Sequence, residues 1–201
     1  MPITATARCR KAGLRIAGTV PWGTPVSSRA CGVYLVSLSQ DPNANAGLRA
    51  RAPIDRHSIE QWIEQVPTME LDRSEATVDG IVQRLNEFWL TDESTLYIGK
   101  ATSLQSRINA YYSTSLGHRG PHAGGHWIKT LAVLQKTFLH FAEVANCEKS
   151  EAELLRAFVT CVSQATRQRV GDIPLPFANL ELPEGKRKCR KRHGIGKCKL
   201  P

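Results

Sequence analysis

Tyr97, Lys100, Arg107 and Tyr111 bring two phenols, an ammonium and a guanidinium together within one short stretch of this 201-residue chain. Arg107 and Tyr111 are four residues apart, so in a helix they share a face. A guanidinium placed there could grip phosphate oxygens in a fixed fork. The alternative is a surface arginine paired with a carboxylate. Tyrosines are usually structural, but tyrosines at two facing strand ends, Tyr34 and Tyr97, followed by Lys100, Arg107 and Tyr111, favour a chemical role.

A second segment extends this pattern. Residues 32–34 read Gly-Val-Tyr, and residues 96–101 read Leu-Tyr-Ile-Gly-Lys-Ala. With Arg107 and a later glutamate, they resemble the GIY-YIG nuclease family, because five residue types follow the family's order. The resemblance implies a small α/β domain, an α+β sandwich in which helices flank a three-stranded antiparallel sheet. It also implies a metal-dependent endonuclease that hydrolyses phosphodiester bonds in DNA.

The resemblance also implies roles for the individual side chains. One of the two sheet tyrosines, Tyr34 or Tyr97, would act as general base; of the two we expect Tyr34, with Tyr97 holding the hydrogen-bond network. Arg107 would stabilise the developing charge, and Lys100 and Tyr111 would tune the site. A free tyrosine has a pKa of about 10, so a base needs nearby cations or hydrogen-bond donors. Lys100 and Arg107 could each supply a positive charge and hydrogen-bond donors to such a tyrosine.

The expected metal is Mg²⁺ or Mn²⁺, which prefers oxygen ligands, and three glutamates compete for it. Glu153 follows Ser150 in the pattern S-x-x-E, which predicts a capping box at the start of a helix over residues 151–168. Glu151 instead heads the apolar stripe of that helix and matches the position of the family's glutamate. We therefore expect Glu151 rather than Glu148 or Glu153 to bind the metal. The alternative role for Glu151 is to complement the helix dipole.

Asn179 resembles the asparagine that closes the family pattern and tethers the shell of the site. Its alternative role is to cap a turn in a proline-rich loop. His118, His122 and His126 have helical spacing, but five residues between 117 and 125 are glycine or proline. This composition favours a loop that touches phosphate over a helical metal site.

The elements that must position these groups follow from hydrophobic periodicity and turn signals. The predicted strands are residues 31–38, 95–98 and 136–144. The predicted helices are a ten-residue helix that begins with the pattern T-x-x-Q at Thr102, a helix over 126–135, and the helix over 151–168.

Three segments organise the chain: a basic N-terminal arm (1–28), a nuclease-like domain (29–183) and a basic C-terminal tail (184–201). Residues 41–90 form a helical insertion between the first two strands. In compact members of the family a short turn joins those strands. The insertion could be a cap that contacts substrate, a packing element or a partner surface.

Most of the net charge of +9 lies near the end of the chain. Eight basic residues and no acid fall within residues 186–199: Lys186, Arg187, Lys188, Arg190, Lys191, Arg192, Lys197 and Lys199. Such a run gives salt-dependent affinity for a polyanion, so the expected partner is DNA, with RNA left open. The alternative is a solvated tail that aids solubility.

The six cysteines have no framework spacing, which favours reduced thiols and a cytoplasmic protein. Zinc binding by Cys189, His193 and Cys198, with Cys9, is less favoured because the C-terminal tail has no closely spaced cysteine pair.

No apolar run is long enough to span a membrane, no secretory signal is evident, and no small-molecule cofactor is expected. The competing functions are a non-catalytic nucleic-acid-binding module with a GIY-YIG-like fold and a structural or interaction protein.

Overall fold

A computed structural model describes residues 3–118, 125–170, 173–182 and 194–197. This part of the chain forms six α-helices and two antiparallel sheets. The helices are α1 (Ala5–Lys11), α2 (Arg56–Gln65), α3 (Val78–Glu87), α4 (Leu104–Ser113), α5 (Cys147–Cys161) and α6 (Gln164–Val170). The strands are β1 (Gly18–Pro21), β2 (Gly32–Ser37), β3 (Met69–Leu71), β4 (Ser74–Glu75), β5 (Thr95–Ala101), β6 (Phe138–Glu143) and β7 (Ile195–Lys197).

The larger sheet has four strands in the order β1-β6-β2-β5, and each neighbouring pair is antiparallel. The sequence predicted three strands for this sheet, and the structure has four. The fourth strand, β1, comes from the predicted N-terminal arm. It is short and ends in Pro21, which an edge strand tolerates because its outer face needs no ladder hydrogen bond. Every residue of β2 is buried, since β2 lies between β6 and β5.

The two faces of this sheet support separate cores. Side chains alternate along a strand, so Tyr34 and Val36 of β2 face α4 and the insertion, whereas Val33 and Leu35 face α1 and α5. The first core includes fully buried residues of the insertion, among them Ile59, Ile81 and Leu85. The second includes Leu154, Leu155 and Phe158 of α5.

The N-terminal helix is fixed by a buried charge. The Arg8 guanidinium donates to a Glu93 carboxylate oxygen at 2.8 Å and to the Thr95 hydroxyl at 3.0 Å, and it lies 4.2 Å from the centre of the Phe158 ring. Burying a charge is costly unless it is paired. Arg8, which lies in the predicted basic N-terminal arm, therefore belongs to the core.

The predicted helical insertion contains α2 and α3, with a hairpin between them that was not predicted. Asp72 and Arg73 turn this β3–β4 hairpin with φ angles of 52° and 71°, which matches the right-handed twist of the flanking strands. Strand β7, from the predicted C-terminal tail, pairs with β3. The remaining tail residues that were singled out, among them Cys189, His193 and Cys198, lie outside the described part of the chain.

Several helix boundaries differ from the prediction. Helix α5 begins at Cys147, where the Asn146 side chain accepts from the Lys149 amide at 3.0 Å, so the predicted capping box at Ser150 was wrong. Ser103, not Thr102, caps α4. The predicted helix over 151–168 divides into α5 and α6. The one over 126–135 is instead two short 3₁₀ segments, His126–Thr130 and Leu134–Lys136. Within the described residues, no helix has the length and apolarity to cross a membrane.

Candidate active site

Tyr34 and Tyr97 lie on neighbouring antiparallel strands and point to the same face of the sheet. Tyr34 is opposite Gly99, and Tyr97 is opposite Val36, so the two rings are diagonal neighbours with centroids 6.0 Å apart. Gly99 makes room for them, because a Cβ atom there would lie only 2.7 Å from Cζ of Tyr34. The glycine of the second segment is therefore required by packing.

Tyr111 on α4 is the third ring of this cluster. Its centroid is 6.2 Å from that of Tyr34 and 5.6 Å from that of Tyr97. Its hydroxyl donates to the carbonyl of Gly125 at 2.7 Å. Burial, and then the neighbouring tyrosines, raise the pKa of Tyr111 well above its usual value of 10. Tyr111 therefore acts here as a neutral hydrogen-bond donor.

Burial also raises the pKa of the two strand tyrosines. The pKa of Tyr34 rises well above 10 because the side chain is fully buried, and nearby Tyr97 raises it further. Burial, followed by the charge of Glu151, raises the pKa of Tyr97 to about 12. Arg107 opposes the shift in both tyrosines. Among the described residues no group meets hydrogen-bond geometry with the Tyr34 hydroxyl, although Arg107 and Tyr97 lie close enough to affect its pKa, and buried hydroxyls of this kind are rare.

Arg107 reaches the tyrosines from α4. Ser103 caps this helix, and Leu104 and Ile108 are fully buried against the sheet, which leaves Arg107 partly exposed along the rim of the cluster. Its guanidinium influences the pKa of Tyr34 and that of Glu151 on the other side of the site. Arg107 is therefore the cation shared by the tyrosines and the carboxylate.

Glu151 approaches from α5, whose Leu155 and Phe158 pack on the opposite face of the sheet. Its carboxylate lies 3.4 Å from Nζ of Lys100 at the end of β5. Glu148 lies 3.6 Å from the same nitrogen. Glu153, by contrast, faces Lys149 at 4.0 Å, and 39% of its side chain is exposed compared with 17% for Glu151.

The charge of the Glu151 carboxylate depends on burial and on two neighbouring cations. Burial raises its pKa, and Lys100 followed by Arg107 lowers it. Magnesium is commonly held by one or two carboxylates together with substrate phosphates and water. Glu151, with Glu148 beside the same lysine, fits that donor set. No group of three His, Cys, Asp or Glu side chains in the described part of the chain could form a protein-only cage.

Asn179 supports the site from behind the edge strand. Its side-chain oxygen accepts from the Ile98 amide at 2.9 Å, and its side-chain nitrogen donates to the Ile98 carbonyl at 2.8 Å. Ala178 adds a backbone hydrogen bond to the carbonyl of Leu96 at 2.9 Å. Because Ile98 lies between Tyr97 and Gly99, these hydrogen bonds of Asn179 fix the strand that carries Tyr97.

Two of the three candidate histidines lie in the described part of the chain. His118 is exposed, His126 is the first residue of the first 3₁₀ segment, and His122 lies outside the described residues.

Lys129 of the 3₁₀ segment His126–Thr130 was not predicted to belong to the site. Its ammonium donates to the carbonyl of Tyr111 at 2.6 Å and to that of Thr114, and so ties the end of α4 to the segment over the tyrosines. No local sequence signal distinguishes this lysine from a solvent-exposed one.

Searches of protein-family models, of curated proteins and of solved structures find no match for this chain.

Proposed function

We propose that this chain is a metal-dependent endonuclease that hydrolyses DNA phosphodiester bonds through a GIY-YIG-type site in the cytoplasm. The observation that carries the proposal is the convergence of Tyr34 and Tyr97 from paired strands with Arg107 from α4 and Glu151 from α5. Structural tyrosines would not need a shared guanidinium and a half-buried carboxylate beside them. Phosphodiester hydrolysis needs both kinds of charge.

Each residue has a distinct role in the proposed reaction. Arg107 would bind the non-bridging oxygens of the phosphate in a fixed fork. Tyr34 would take a proton from the attacking water, and Tyr97 would hold its hydroxyl in place. Mg²⁺ or Mn²⁺ on Glu151 would supply positive charge that stabilises the pentacovalent phosphate. Asn179 would position the strand, and Lys100 would adjust the charge of Glu151.

The burial of Tyr34 sets a condition on this mechanism. Its pKa lies well above 10 in the isolated protein, so it is neutral at pH 7 and cannot accept a proton in that state. Arg107 already lowers this pKa. Further positive charge beside the hydroxyl must accompany substrate binding if Tyr34 is the base. We therefore expect cleavage to rise with pH across the neutral range.

The test is the cleavage of supercoiled plasmid with magnesium and with a chelator. Wild-type protein should nick or linearise the plasmid only with the metal. Glu151→Ala should abolish cleavage, whereas Glu153→Ala, two residues further along α5, should not. Tyr34→Phe should abolish cleavage, and Tyr112→Phe, which removes another buried hydroxyl, is its matched control. Cleavage that survives in both Glu151→Ala and Arg107→Ala would refute the site.

A second candidate is a non-catalytic nucleic-acid-binding module. Two observations favour this candidate. Complete burial of Tyr34 closes its hydroxyl off from substrate. The ion pair between Lys100 and Glu151 satisfies both charges without substrate or metal. A module of this kind would bind plasmid in the chelator as well as in magnesium and leave it intact. Branched DNA and RNA are the substrates to try next.

A further inference from the structure

Two thiols meet where the strand that carries Tyr34 lies beside the helix that carries Glu151. Cys31 immediately precedes β2, and Cys147 is the first residue of α5. The Val144 amide donates to the Cys31 carbonyl at 2.9 Å, and α5 begins three residues later. Both thiols are free, and burial, followed by the neighbouring Cys31 thiol, raises the pKa of the Cys147 thiol.

The other described cysteines lack this arrangement. Cys9 is buried in the second core, where burial raises the pKa of its thiol to about 11. The sulfur of Cys161 accepts a hydrogen bond from Lys11 Nζ at 3.2 Å. Cys31, by contrast, is partly exposed and has a second thiol beside it.

We propose that Cys31 and Cys147 form a reversible disulfide under mild oxidation by a peroxide. The Cys31 thiolate attacks one peroxide oxygen, which gives a sulfenic acid and a hydroxide that takes up a proton to become water. The Cys147 sulfur then attacks the Cys31 sulfur, and the displaced hydroxide takes up the proton of the Cys147 thiol to become the second water. Two thiols and one peroxide thus give one disulfide and two waters.

This bond would connect the two halves of the candidate site. Tyr34 lies three residues after Cys31, and Glu151 lies one helical turn after Cys147 on the same face of α5. The Lys100 ammonium interacts with Cys147 and also with Glu151. The disulfide would hold β2 and α5 at a fixed separation beside this ion pair. Its effect on cleavage rests on the proposed function, whereas its formation does not.

The experiment is oxidation of the 201-residue chain with hydrogen peroxide, followed by alkylation and tryptic digestion without reductant. The expected product is a linked pair of peptides, residues 30–49 and 137–149, with a mass lower than the sum of the two by two hydrogen atoms. A reductant should separate them. Cys147→Ser should abolish the product, and Cys161→Ser, the matched control, should not.

The same experiment distinguishes other cysteine pairings from the proposed disulfide, and the failure of the disulfide from the failure of the proposed nuclease activity. The linked pair should also form when Cys189 and Cys198 are both replaced by serine. Links of Cys31 or Cys147 to those tail cysteines alone, or no linked peptide while Cys161 is oxidised, would overturn the proposal. A linked pair in a protein that never cleaves DNA would refute only the nuclease. Cleavage without a linked pair would refute only the disulfide.

Discussion

Replacing Gly99 with alanine tests the arrangement of the strand tyrosines directly. Both rings lie against the backbone of this residue. A Cβ there would be 2.7 Å from Cζ and 2.8 Å from Oη of Tyr34, and 2.9 Å from Cε1 of Tyr97. Since carbon atoms pack best about 3.5 Å or more apart, the two rings in Gly99→Ala would have to move by roughly 0.6 to 0.8 Å.

The cost of this shift is set by two opposing effects. Adding a methyl group to a well-packed core costs about 1–3 kcal/mol, whereas alanine in a strand is favoured over glycine by roughly 0.5–1 kcal/mol. We expect a net loss of about 1.5 kcal/mol, or roughly 3–6 °C in Tm for a chain of this size. Because a misplacement of about 1 Å can slow a reaction by about 100-fold, the proposed cleavage should fall by roughly 10- to 100-fold.

Thermal unfolding followed by circular dichroism and plasmid nicking in magnesium measure the two effects. Gly196→Ala in β7 is the matched control, because a Cβ there meets nothing within 4 Å. It should unfold and cleave like the wild type. A Gly99→Ala protein that also unfolds and cleaves like the wild type would refute the proposed packing. Equal losses in both variants would show a general effect of replacing a strand glycine.

Three further predictions concern the groups around the site. Asn179→Ala should lower the free energy of unfolding by about 2–4 kcal/mol, because both backbone groups of Ile98 lose buried hydrogen bonds; an unchanged urea midpoint would contradict this. Arg8→Met should cost about 3–5 kcal/mol because Glu93 stays buried without its partner, and adding Glu93→Gln should recover part of the loss; no recovery would count against the pairing. Burial lowers the pKa of Lys129 from 10.5 to about 8, so at this residue the unfolded chain binds more protons between these values, and the contribution of Lys129 to the free energy of unfolding should rise with pH above about 8. Burial also raises the pKa of the Cys9 thiol from 9.0 to about 11, which gives a slope of opposite sign above about pH 9, so the wild type must be compared with Lys129→Met. The free energy of unfolding of the wild type relative to Lys129→Met, from urea titrations, should increase from about pH 7 to about pH 9, and a difference that does not change with pH would refute the prediction.

The sheet was largely predictable because its strands are short apolar runs bounded by turn residues. Residues 31–38 and 136–144 contain β2 and β6, and the strand predicted at 95–98 extends to Ala101 as β5. Strand β1 escaped detection because its Gly-Thr-Val-Pro sequence resembles a turn, and only pairing with β6 makes it a strand. Tertiary contacts decide such cases.

The candidate site was predictable only where local periodicity determined it. The apolar stripe of α5 placed Glu151 on the core side although the predicted start of the helix was wrong, because the stripe depends on spacing and not on the cap. Local periodicity could not predict the contacts of Arg8, Lys129 and Gly125. Arg8 and Glu93 are 85 residues apart, and no local pattern connects them.

The insertion is better explained as part of the core than as a cap that reads DNA. Residues 41–90 carry nine acidic and five basic side chains, so their net charge of −4 would repel a polyanion. Their apolar residues, Ile59 and Leu85 among them, are fully buried against the sheet face that holds the tyrosines. Strand β7, which follows most of the basic run, pairs with β3 of this acidic segment. The proposed DNA contacts are therefore expected from the basic run, Lys100 and Arg107, and the insertion serves to shape and support the tyrosine side of the site.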